Sequence, residues 1–346
     1  MKDIIDILTK SQKGYDEKIP DNAPTLMSEI FSARQDLLTL GTGSTELCLG
    51  RDAVMELIRG DWNGGWGDFK IDIGNAKIES GGDAAWFYAD CTVKYSFEDT
   101  EDKIKDWIGI IKKTAEYKDG TPKQNLSILN WMLGLRFHSH GSEKREYLWP
   151  SEFSGMMVKE DGAWKITTLH FAMAKSNYPD ERFEESVYDG AYRAYHTHAK
   201  GIIVKHEANK ADYNVLQLLK NLENEMANDT EFGSLYFDSE QVLAFDAGNF
   251  AWIAAIGTTK QTISEDEIFN RSIKEIEGLL DSDLPPQEQL LQVKRSIAYA
   301  LKESAYGSEF TWPIRFTAVI EKTGNGYKFR HKHFSYPFQW IIEGKL

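Results

Sequence analysis

A histidine and a carboxylate held close together can pass a proton, because each shifts the other's pKa. His170 and His333 end two similar strand-like segments, Trp164 to Phe171 and Tyr327 to Phe334. Side chains alternate between the faces of a strand, and Lys328, Arg330 and Lys332 belong in solvent. Tyr327, Phe329, His331 and His333 are therefore expected to point inward, as are Trp164, Ile166, Thr168 and His170. On a third segment, Ala84 to Phe97, one face carries Trp86, Tyr88, Asp90 and Thr92. If that face is also inward, Asp90 and His170 form the candidate acid–base pair. Its counterpart is broken in the second half of the chain, where Ile256 stands for Asp90.

Other constellations carry less chemistry. His138-Ser139-His140 and His196-Thr197-His198 have a spacing that suits metal ligation from a strand, but no carboxylate or cysteine accompanies them, so no metal is expected. Gly41-Thr42-Gly43 lacks the third glycine and the strand-to-helix setting of a dinucleotide loop. No nucleophile motif is present, and no cofactor is expected.

The segments that must position these residues occur twice. Glu146-Tyr147-Leu148-Trp149-Pro150 returns as Glu309-Phe310-Thr311-Trp312-Pro313, and the offset of 163 holds without a gap to His170-Phe171 and His333-Phe334. Eight of these 26 aligned positions are identical. Upstream, Ala85-Trp86 returns as Ala251-Trp252 at an offset of 166, and Ile104 to Ile111 resembles Ile273 to Leu280. Ordered matches with drifting offsets indicate a duplicated unit, residues 1–178 and 179–346. Each unit reads as amphipathic helices, including Asp52 to Arg59 and Val215 to Leu222, followed by antiparallel strands. A long helical insert, Ile104 to Leu135 or Ile268 to Leu301, interrupts the strands. Glu160-Asp161-Gly162-Ala163 and Lys322-Thr323-Gly324-Asn325-Gly326 read as hairpin turns. The fold class is α+β.

Composition narrows the partners. Acids outnumber bases 54 to 40 in 346 residues, a net charge of −14, which repels phosphate backbones and argues against nucleic acid. No apolar run reaches the roughly 20 residues of a membrane helix. The opening Met1-Lys2-Asp3-Ile4-Ile5-Asp6 shows no export signal, and two cysteines make no disulfide framework, so a cytoplasmic protein is expected.

Leu40-Gly41-Thr42-Gly43, Gly50-Arg51-Asp52-Ala53, Asp61-Trp62, Ala85-Trp86 and Asp161-Gly162-Ala163-Trp164-Lys165-Ile166, ending in His170-Phe171, together resemble a SnoaL-like domain. Such domains belong to the nuclear transport factor 2-like, or ketosteroid isomerase-like, superfamily. The resemblance runs from about Leu26 to Met173 and, more weakly, from Phe183 to Trp340. It implies two cones, each a curved antiparallel sheet wrapped around N-terminal helices with a pocket inside. Trp86, Tyr88, Glu146, Trp149, Trp164, Trp252, Glu309, Trp312, Tyr327, His331 and His333 are the expected ligand-binding residues. The expected ligand is a small apolar or aromatic molecule. Two alternatives stand beside this: a cofactor-independent isomerase, cyclase or dehydratase using Asp90 and His170, and a scaffold with vestigial pockets. Domains of this kind commonly pair through their sheets, so an intrachain pseudo-dimer or a homo-oligomer is expected.

Overall fold

In the computed structural model, residues 2–115, 144–173 and 211–335 are described, apart from short breaks within them. The first half opens with helices α1 (Lys2–Glu17) and α2 (Ala23–Ile30), the short pair β1 (Leu38–Leu40) and β2 (Leu47–Leu49), and helix α3 (Arg51–Asn63). Strands β3 (Trp66–Ile71), β4 (Lys77–Gly81) and β5 (Ala84–Glu98) follow, then α4 (Glu101–Ala115), β6 (Lys144–Glu160) and β7 (Ala163–Met173). The second half runs α5 (Tyr213–Glu225), β8 (Ser234–Ala247), β9 (Phe250–Thr262), α6 (Glu265–Leu280), β10 (Glu309–Thr323) and β11 (Gly326–Ser335). No helix among the described residues is long and apolar enough to cross a membrane.

The duplication reappears as hydrogen-bond register. Trp86 faces Met156 across β5 and β6, and Trp252 faces Val319 across β9 and β10. Ser154 faces His170, and Thr317 faces His333. Strand β8 continues through the positions that β3 and β4 divide: Lys70 opposite Thr92 matches Tyr236 opposite Thr258, and Glu79 opposite Trp86 matches Phe245 opposite Trp252. Even the irregularity repeats. One extra residue bulges from the last strand of each unit, Thr167 in β7 and Arg330 in β11. The unit boundary near residue 178 and the later parts of both helical inserts lie largely or wholly outside the described residues, as do His138, His140, His196 and His198.

The expected cones are not what the chain builds. Both sheets are open, with strand orders β2-β1-β7-β6-β5-β3 and β11-β10-β9-β8, and neither is closed or strongly curled. The reason lies in the strand faces, since both faces of each sheet are apolar. Ala85, Phe87, Ala89 and Cys91 of β5 pack with the N-terminal helices, while Trp86 and Tyr88 pack with Trp252, Leu243 and Val319 of the other sheet. On the far side of that second sheet, Ile253, Phe316 and Ile320 pack with Val215, Leu219 and Leu222 of α5. A sheet with two apolar faces is stabilised by a layer on each, so helix, sheet, sheet and helix stack in four layers.

The bulges correct the expected facing. Strict alternation would turn Trp164, Ile166, Thr168 and His170 the same way, but an extra residue shifts the alternation by one. Before the bulge, Trp164 and Ile166 join the helix-side core of the first unit, and Tyr327 and Phe329 that of the second. Beyond it, His170 and His333 turn toward the opposite sheet.

Candidate functional site

A cavity of about 80 Å³ lies between the sheet of the first unit and its helices. That exceeds the roughly 10–15 Å³ needed to admit one water. Helix α1 buries Ile4, Ile7, Leu8 and Ser11. Tyr15, one turn beyond Ser11, reaches the cavity from the same side. In α3, Val54, Ile58 and Trp62 are buried at helical spacing, and Asp61 shares their side. Tyr15 donates its hydroxyl to Asp61 Oδ2 at 3.0 Å, with its ring edge-on to Trp62. The Gly50-Arg51 word aims this helix: Gly50 has φ of +89°, and Arg51 donates to the Ser32 carbonyl at the end of α2.

Glu46 enters from the loop joining β1 to β2, where it accepts the Gly43 amide on Oε2 at 2.6 Å. The chain here passes so close to Glu46 that a Cβ on Gly41 would lie 2.8 Å from the Glu46 Cβ. Gly41 and Gly43 thus serve close packing around a carboxylate. Arg315, buried in the second sheet, donates to the Gly41 carbonyl at 2.6 Å, so the second unit braces the loop that carries Glu46.

The electrostatics are one-sided. Burial, reinforced by the Glu46 charge, pushes the Asp61 carboxyl up to about 8, against the Tyr15 hydrogen bond that favours ionisation. Burial and then Asp61 also raise the Tyr15 phenol. Phe31, Trp66, Phe69 and Phe171 supply aromatic walls, and among the described residues no Lys, Arg or His lines the cavity. Thr39 and Ser151 line it too, with buried hydroxyls that have no hydrogen-bond partner. At neutral pH the arrangement offers one neutral carboxylic acid that donates, one further carboxyl and two free hydroxyls within apolar walls.

The residues expected to bind ligand lie mostly elsewhere. His170, His331, His333, Trp86, Tyr88 and Trp252 meet at the seam between the sheets. His170 Nδ1 bonds the Thr317 hydroxyl at 2.8 Å, and His333 Nδ1 bonds that of Ser154 at 2.7 Å. Because Ser154 and Thr317 are repeat equivalents, the contact is reciprocal, as across a two-fold axis. The two imidazoles lie 4.0 Å apart, and Trp86 stacks on His331. Burial lowers the pKa of His170 well below normal, that of His331 to about 4 and that of His333 to about 3. His170 Nε2 bonds Ser335, so both its ring nitrogens are occupied. Asp90 is exposed and accepts from the Tyr88 hydroxyl at 3.1 Å, and the structure does not join it to His170. Trp164 packs in the helix-side core of the first unit, and Tyr327 lies beside Asp212. The backbones of Glu146, Trp149, Glu309 and Trp312 lie in β6 and β10, with their side chains outside the described residues.

The sequence reading missed Tyr15, Glu46 and Asp61. The available signal was an acid on the apolar side of an amphipathic helix: Asp61 follows Val54 and Ile58 at helical spacing. At the matching position of the second unit the acid is replaced: setting Val54 and Ile58 against Val215 and Leu219 places the buried Leu222 against Asp61.

A family model described as a SnoaL-like domain matches residues 22–106. The matched stretch includes Glu46 and Asp61 and ends before β6 and β7. No curated protein matches the chain. Among solved structures, the chain is similar to a putative scytalone dehydratase from Novosphingobium aromaticivorans DSM 12444, at 11% identity and a TM-score of 0.32, over 50% of this chain and 83% of that one. It is also similar to a putative dehydratase of the NTF2-like family from Streptomyces avermitilis, at 9% identity and a TM-score of 0.34, over 50% and 95%. A third is an NTF2-like superfamily protein from Salmonella enterica serovar Typhimurium LT2, at 14% identity and a TM-score of 0.32, over 50% and 91%.

Proposed function

We propose that the first unit, taken as residues 1–178, binds a small apolar or aromatic molecule bearing one polar group. The carrying observation is the cavity under α1 and α3, whose aromatic walls surround Asp61, Tyr15, Thr39 and Ser151. Apolar pockets with a few convergent polar groups are the usual form of a small-molecule site: walls supply affinity and polar groups fix orientation. For the second unit, residues 179–346, we propose a supporting role. Leu222 stands where Asp61 would, and Arg315 reaches across to Gly41. The test is calorimetric titration with 1-naphthalenemethanol of the natural chain and of Leu57→Trp, which fills the cavity from α3. One site per chain is expected, weakened at least tenfold in the variant. Equal affinity in the two proteins refutes the assignment.

A further inference from the structure

We infer that the polar group of the ligand is a protonated amine, so that the cavity takes an apolar or aromatic ammonium ion. This rests on the proposed binding site and deepens it. Asp61 and Glu46 line the cavity together, and among the described residues no cationic side chain lines it to balance them. A buried carboxyl without a counter-ion is held neutral, and an added cation restores its ionised form. The second observation is independent of the acids. Thr39 is 2% exposed and Ser151 is 7% exposed, and both line the cavity with unpartnered hydroxyl oxygens. An unpaired buried hydroxyl is costly unless something supplies its partner.

An ammonium is donor-only, with three N–H groups, whereas carboxylate and hydroxyl oxygens both accept. Ionised carboxylates only accept, so Asp61 and Glu46 favour a donor-only group, and the Thr39 and Ser151 hydroxyls can accept from it as well. A ligand carboxylate would instead meet two acids. The aromatic walls, Trp66, Phe69 and Phe171 among them, supply apolar area for the rest of the molecule. Binding is coupled to a proton: Asp61 gives up its carboxyl proton to solvent as the N–H group of the ligand replaces it.

The experiment is calorimetry at pH 7 with three probes on one ring system: 1-naphthylmethylamine, 1-naphthalenemethanol and 1-naphthoic acid. The amine is expected to bind at least tenfold tighter than the alcohol, with the acid weakest. Repeating the amine titration in buffers of different ionisation enthalpy should show net proton release, absent with the alcohol. Asp61→Asn should cut the affinity of the amine at least tenfold and abolish its proton release. Alcohol binding as tight as amine binding overturns the amine inference while the site stands. Failure of all three probes overturns the site as well.

Discussion

Replacing Asp61 by Asn should make the protein more stable, increasingly so as the pH rises. The folded chain holds the Asp61 proton up to about pH 8, whereas the unfolded chain releases it near 3.8. Across that window the native state binds more protons than the unfolded one, so stability falls with rising pH by up to about 1.4 kcal/mol per unit. The contribution is fully present below about pH 4 and fully lost above about pH 8. Asparagine is nearly isosteric, can accept the Tyr15 hydrogen bond and does not titrate. Between pH 5 and pH 8 the variant should therefore gain about 2–4 kcal/mol on the natural chain, the lower figure allowing for solvent reaching the cavity. That is a large share of the 5–15 kcal/mol typical of a domain. Urea unfolding of both proteins at pH 4, 5, 6, 7 and 8 measures it, with near equality expected only at pH 4. A difference that is constant across the series, or that favours Asp61 at pH 8, would refute the burial argument.

The seam histidines should give the opposite slope. His170 and His333 stay neutral when folded but titrate near 6.5 when unfolded, so their stabilisation is complete above about pH 6.5 and is lost as the pH falls toward about 3, where His333 titrates in the folded chain. Together they should cost roughly 3 kcal/mol per pH unit well below 6.5, read as a falling urea midpoint that His170→Asn with His333→Asn flattens. Gly155→Ala should destabilise by roughly 1–3 kcal/mol, because its Cβ would collide with the Thr168 carbonyl and lie 2.8 Å from the Phe87 ring. Gly60→Ala in α3 should instead stabilise by about 0.5–1 kcal/mol, since nothing lies within 4 Å of a Cβ there. Thermal melts of the two variants separate steric clash from helix propensity.

The repeat was legible in the sequence because it survives as identity at positions the fold cannot vary freely. Offsets of 166 upstream and 163 downstream, read from Trp86 and Trp252 and from His170 and His333, reproduce the cross-strand partners of both units. Facing was not legible. The bulge residues are Thr167 and Arg330, neither of them the glycine that would signal an irregular strand. Arg330 is exposed, as expected of a partner of Lys328 and Lys332, and it also pairs with Glu79 of the first unit. One uncounted residue in each last strand turned its histidine toward the seam. The cavity was hidden for a different reason: Tyr15, Glu46 and Asp61 converge from two helices and a loop, and no local spacing encodes that convergence.

Duplication within one chain gives the seam a freedom that a symmetric dimer lacks. In a homodimer, both sides of a two-fold contact carry the same residue. Here the reciprocal His–hydroxyl bonds keep the symmetric pattern, while the equivalent positions Glu152 and Arg315 have diverged. Glu152 is exposed, with Oε2 3.4 Å from His333 Nε2, whereas Arg315 is fully buried and bonded to Gly41. A buried guanidinium is unfavourable unless its donors are satisfied, and at least one of them holds the carbonyl of the loop that carries Glu46. An arginine on both sides would serve two cavities, yet the second unit has Leu222 in place of the acid such a cavity would use. The asymmetry of the seam and the replacement of Asp61 by Leu222 both fit the proposed division, in which the first half holds the binding site and the second braces it.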